Sequence, residues 1–115
     1  MRILGIDYGR TKIGLAITES SIAEPWKVVS GEELKKILSE ESFDKLVVGV
    51  SSGEMAKEEM RFAKSIGAET FDETLTTKEA QRLSIEAGLS RKKRKGMEDA
   101  FAAAIILQNY LDSKS

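Results

Sequence analysis

Leu46 to Val50 (LVVGV) is the run that most restricts what this chain can become. Apolar residues without alternation suit a strand covered on both faces, which places it inside a sheet flanked by helices. Arg2 to Asp7 (RILGID) is a second such run, short, nearly continuously apolar and closed by an acid. After Tyr8-Gly9-Arg10-Thr11, a tight turn by composition, Ile13 to Ile17 (IGLAI) resumes a strand, so these two segments are expected to form an antiparallel hairpin. A third strand is expected near Trp26 to Val29, after the loop holding Pro25, the only proline.

Helical signals fill the intervals. Ser30 followed by Glu33 has capping-box spacing, and Leu34, Ile37 and Leu38 make a helical stripe over 31–40. The 46–50 run then lies parallel to the first strand. Residues 54–66 set Met55, Met60 or Glu59, Phe62, Ala63 and Ile66 at spacings of three and four, predicting a helix that stops at Gly67. The methionines there, and Met97, read as core filler, and Trp26 as a packed aromatic. Ala68 to Phe71 is a short strand leading to Asp72-Glu73. Thr76 and Glu79 then cap a helix through Ala87, and a last helix covers about 97–111. This order predicts an α/β fold: a mixed five-stranded sheet, three antiparallel strands then two parallel, with helices on both faces. Residues 1–115, without linker or repeat, are expected to be one domain. No stretch approaches the roughly 20 apolar residues of a membrane span, and a cytoplasmic protein is the expectation.

Composition removes much chemistry. The chain has no His and no Cys, which eliminates imidazole bases, thiolate nucleophiles and ordinary zinc sites. Carboxylates remain, and they recur at Asp7, at Asp72-Glu73 after the last strand, and at Glu98-Asp99 opening the last helix. In the parallel part of such a sheet, functional groups gather beyond the carboxyl ends of the strands. Asp7 and Asp72-Glu73 both occupy such ends. In the last helix Asp99 shares a face with Ala102, Ala103, Ile106 and Tyr110, whereas Glu98 lies about 100° away, so Asp99 is the better candidate. Each acid alone has a plainer explanation: a turn residue, a solvated loop acid, or an acid favoured by a helix dipole. Their shared edge is what points to hard-cation chemistry with Mg²⁺ or Mn²⁺. Two such ions roughly 4 Å apart can activate a water and stabilise the departing oxygen of a phosphodiester.

Net charge of −1, from 18 Lys and Arg against 19 Asp and Glu, does not announce a nucleic-acid binder. Distribution does. Arg91-Lys92-Lys93-Arg94-Lys95 directly precedes the Asp99 helix, suited to phosphate contacts that position without reading sequence. The glycine turn from Asp7 to Gly14 reads as room for a phosphate backbone, with Arg10 and Lys12 as counter-charges.

Asp7-Tyr8-Gly9, Val47-Val48-Gly49-Val50, Asp72-Glu73-Thr74-Leu75-Thr76-Thr77 and Glu98-Asp99-Ala100, in this order, resemble the YqgF/RuvX family. The resemblance spans essentially the whole chain, most closely in LGIDYGRTKIGLAI and EDAFAAAIILQNYL. It implies an RNase H-like fold and a nuclease of structured nucleic acid, either resolving Holliday junctions (branched DNA) or maturing the 5′ end of pre-16S rRNA, with ribosomal particles as further partners. It also implies metal carboxylates at Asp7, Glu73 and Asp99, ranking Glu73 above Asp72, and it leaves a homodimer open. Two departures stand out: the family's Gly-Leu-Pro segment with a following Asn is Gly49-Val50-Ser51-Ser52-Gly53, and the Arg after its Asp-Glu pair is Thr74. The segments before the first helix and after Val50 are also short. A rival reading is therefore a non-catalytic RNA-binding ribosome-assembly factor on the same scaffold. Phosphotransfer is a second rival, since the Asp-x-Gly hairpin resembles the phosphate loop of actin-like ATPases. Those enzymes close two such domains on nucleotide, and this chain supplies one.

Overall fold

A computed structural model of the chain describes residues 1–72 and 96–114. Its strands are β1 (Ile3–Asp7), β2 (Ile13–Thr18), β3 (Glu24–Val29), β4 (Lys45–Val50) and β5 (Glu69–Asp72). Its helices are α1 (Gly31–Glu40), α2 (Ala56–Ile66) and α3 (Glu98–Lys114). The strands form one sheet in the order β3-β2-β1-β4-β5. β1 and β2 pair antiparallel from Ile3↔Thr18 to Asp7↔Gly14, β3 is antiparallel to β2, and β4 and β5 run parallel to β1 and to each other. Three antiparallel strands followed by two parallel ones is the arrangement the sequence predicts. β4, the run without alternation, has neighbours on both edges and both faces covered, with Val47 and Val48 fully buried.

Side-chain alternation sorts the core into two layers. Leu4, Ile6, Leu15 and Val48 face α1 and α2, where they meet Leu34 and Ala63. Ile3, Ala16 and Val47 face α3 and meet Ala103, Ile106 and Leu107. The loop ends are built as the residue types require. Ser30 Oγ accepts the Glu33 amide at 3.2 Å while the Glu33 carboxylate accepts the Ser30 amide at 3.4 Å, closing the capping box of α1. Gly67 ends α2 in the left-handed region (φ 71°), which lets Ala68 bond back to Ala63 before β5 begins.

Small residues draw α3 down onto the sheet. A Cβ on Gly5 would lie 2.7 Å from Leu107 Cβ and 3.1 Å from the Ala103 carbonyl oxygen, so the helix rests on bare backbone there. The edge strand β3 carries Pro25, paired with Ala16 beside a register shift between Leu15 and Ala16.

The expected α2 stripe needs one correction. Met60 is 54% exposed, whereas Glu59 is buried at 4%. Glu59 shares its helical phase with Ala63 and Ile66, and its carboxylate is satisfied by the Ser51 amide at 3.0 Å and the Ser51 hydroxyl at 2.9 Å. Trp26 is packed as expected, edge-on to Phe43 at 6.4 Å. The helix expected over 76–87 lies outside the described residues. Among the described residues no helix is long and apolar enough to cross a membrane.

Candidate carboxylate site at the strand ends

Asp7 closes β1 on the face shared with Ile3 and Gly5, the face that α3 covers. Its direct cross-strand partner is Gly14. The first turn of α3 occupies the space that a side chain on Gly14 would fill: a Cβ there would sit 1.8 Å from the Asp99 carbonyl oxygen and 2.7 Å from the Ala100 nitrogen. Directly paired residues carry their Cβ atoms about 5 Å apart, so the Asp7 Cβ lies within roughly 7 Å of the Asp99 backbone oxygen. The Asp99 backbone thus comes up against the strand partner of Asp7, across a single glycine. Asp99 is half-buried and is followed by the fully buried Ala100. Glu98 is exposed and turns back to accept the Gly96 amide at 2.9 Å, tying down the entry to the helix.

Asp72 closes β5 in register with Val50. Parallel partners share a face, and Val50 alternates with Val48 onto the α1–α2 side, so exposed Asp72 lies on the face opposite Asp7. Glu73, Thr74 and the basic run Arg91, Lys92, Lys93, Arg94 and Lys95 lie outside the described residues. Among the described residues no cluster of three metal-ligating side chains occurs.

Arg10 and Lys12 are both exposed in the β1–β2 turn. Arg10 directs its Nε at both carboxylate oxygens of Glu58 on α2, each at 3.2 Å, and this hydrogen bond, reinforced by the negative charge, raises the guanidinium pKa further above its ordinary value. Tyr8 stacks on Phe62 with ring centroids 4.4 Å apart, and its hydroxyl pKa is raised by burial first and by Glu58 second. A Cβ on Gly9 would lie 2.4 Å from the Lys12 carbonyl oxygen, so both Gly9 and Gly14 accommodate the chain's own backbone. Sequence reading passes over Glu58 and offers Glu59 only as an alternative to Met60 in the helical stripe. The helical phase of α2 is the signal that points Glu59 inward, where it holds Ser51 at the carboxyl end of β4.

A family model described as "RuvX: Holliday junction resolvase" matches residues 1–113. The chain belongs to the RuvX family. A relative from Endomicrobium trichonymphae, named "Putative pre-16S rRNA nuclease", is 40% identical over 136 positions, covering 99% of this chain and 97% of the relative. One of the same name from Oceanobacillus iheyensis is 35% identical over 137 positions, covering 99% and 100%. Both alignments are longer than the chain's 115 residues, so these RuvX relatives carry insertions that it lacks. The structure titled "T. thermophilus RuvC in complex with Holliday junction substrate" superposes with a TM-score of 0.63 at 16% identity, covering 100% of this chain and 97% of that one. At that identity the likeness is one of fold, and it bears out the RNase H-like expectation for this RuvX member.

Proposed function

We propose that this RuvX-family chain is a metal-dependent endonuclease of structured nucleic acid, acting in 5′-end maturation of pre-16S rRNA or on four-way junctions. The observation that carries this reading is the seating of the first turn of α3, at Asp99, on Gly14, the strand partner of Asp7 at the carboxyl end of β1. A chain with no His or Cys offers oxygen donors, which fit Mg²⁺ or Mn²⁺ and not a thiolate or imidazole metal.

In this reading Asp7, Asp99 and Glu73 would be the residues that hold the ions. When bound, such ions supply an activated water and stabilise the leaving oxygen. The chain's own part is to hold the carboxylates in place, Asp7 by the β1–β2 pairing and Asp99 by the packing of Ala100, Ala103 and Leu107 beneath α3. Arg10, Lys12 and Arg91 to Lys95 would neutralise substrate phosphates. The names of the curated relatives support the rRNA substrate.

The test is cleavage of a precursor 16S rRNA fragment and of a four-way DNA junction in Mg²⁺ or Mn²⁺. Asp7→Asn and Asp99→Asn are each expected to abolish cleavage while leaving the fold intact. Undiminished cleavage by both would remove the assignment. Salt-sensitive RNA binding with no cleavage in any divalent metal would favour the ribosome-assembly reading instead.

A further inference from the structure

We propose that Gly14 is the positioning residue of the carboxylate site: its missing side chain seats the first turn of α3 and so sets how near Asp99 comes to Asp7. This rests on the nuclease reading above and adds to it a residue that touches neither substrate nor metal. Gly14 pairs with Asp7 on one side and with Val28 of β3 on the other, so its backbone is held in the sheet from both edges. A methyl at this position would overlap the Asp99 carbonyl oxygen at 1.8 Å, its carbon at 2.1 Å and the Ala100 nitrogen at 2.7 Å. These are backbone atoms, and no rotamer change relieves the overlap. The strand is pinned on two sides, so the start of the helix is the part that gives way. Restoring ordinary contact takes a retreat of more than about 1 Å. A misplacement of that size at reacting groups costs on the order of 100-fold in rate.

The molecule contains its own control. Gly5 lies on the same face, one strand over, beneath the middle of the same helix, with Leu107 Cβ 2.7 Å and the Ala103 carbonyl oxygen 3.1 Å from its absent Cβ. Gly5→Ala therefore strains the α3 packing as well, but away from Asp99.

The experiment titrates Mn²⁺ into the full chain without nucleic acid, by calorimetry, for wild type, Gly14→Ala, Gly5→Ala, Asp7→Asn and Asp99→Asn. Gly14→Ala is expected to bind Mn²⁺ at least tenfold more weakly, and excess Mn²⁺ to restore part of its cleavage. Gly5→Ala is expected to melt at a lower temperature yet bind Mn²⁺ within about twofold of wild type. Wild-type affinity in folded Gly14→Ala, or an equal loss in Gly5→Ala, overturns the positioning role while leaving the site standing. A wild type that binds no Mn²⁺, or binding indifferent to Asp7→Asn and Asp99→Asn, overturns both. Should Gly14→Ala not fold, amide shifts of the wild type decide the matter. The Gly14 amide is expected to move with those of Asp7 and Asp99 as Mg²⁺ is added while Gly5 stays still, and a stationary Gly14 beside a moving Asp7 overturns the proposal.

Discussion

The two ends of α3 are held in opposite ways. At its far end Tyr110 is buried, donates its hydroxyl to Glu69 at the start of β5, and receives a hydrogen bond from Lys45 at the start of β4. Its ring stands edge-on to Phe71 at 6.0 Å and carries Lys114 at 5.3 Å. Acid, base and neutral hydroxyl satisfy one another there, so that end is made for stability. At the near end the helix instead rests its backbone at Asp99 on bare Gly14, the strand partner of Asp7. One helix is thus fastened by side-chain partners at its far end and by close backbone contact at its near end.

The largest expected effect tests the near end. Asp7→Asn should lower kcat by at least about a thousandfold, about 4 kcal/mol of transition-state stabilisation, in a cleavage assay. Its thermal midpoint without metal should stay close to that of wild type, because the isosteric amide keeps the strand pairing with Gly14. A midpoint that falls by many degrees would break the comparison, since Asp7 would then belong to the structural half. Leu107→Ala comes next. It removes a fully buried side chain that rests on Gly5, and should cost about 2–5 kcal/mol in denaturant unfolding.

Tyr110→Phe should cost less, about 1 kcal/mol, and should change the alkaline limb of stability. Burial, and then the bond to Glu69, raise the Tyr110 pKa above its ordinary value. A raised folded pKa means the contribution is complete below the unfolded value of about 10 and is lost as pH climbs through the folded one. The variant should therefore lose less stability than wild type above that pH, measured by urea unfolding. The smallest effect concerns the turn beside the site: Arg10→Ala should flatten the salt dependence of RNA binding by about one unit of slope, and Glu58→Gln should steepen it by freeing Arg10.

Much of this was legible in the residues, for local reasons. The Ser30–Glu33 box, the Gly67 stop and the apolar runs of β1 and β4 each follow from short-range chemistry that no distant contact overrides. Asp99 could be preferred to Glu98 because helical phase is a local property, and the two do differ, one half-buried and the other exposed. The roles of Gly14 and Glu59 were not legible. A glycine in a turn motif says only that something comes close, and the Asp99 backbone that does so is 85 residues further along the chain. The choice between Met60 and Glu59 stayed open because the donors that satisfy Glu59, on Ser51, belong to another segment. Glu73 and the run from Arg91 to Lys95 lie outside the described residues, so the third carboxylate rests on the family pattern.

Pro25 bears on a different hazard. Strand β3 forms one margin of the sheet, and a bare strand margin invites a second chain to zip onto it. Pro25 cannot donate a backbone bond, and the irregular pairing beside Ala16 breaks the even rhythm that an incoming strand would have to match. That side of the molecule is thereby poor at templating sheet growth, so crowded copies of the chain gain little by aligning there. Replacing Pro25 with a β-branched residue would make the margin more regular and the protein more prone to aggregate.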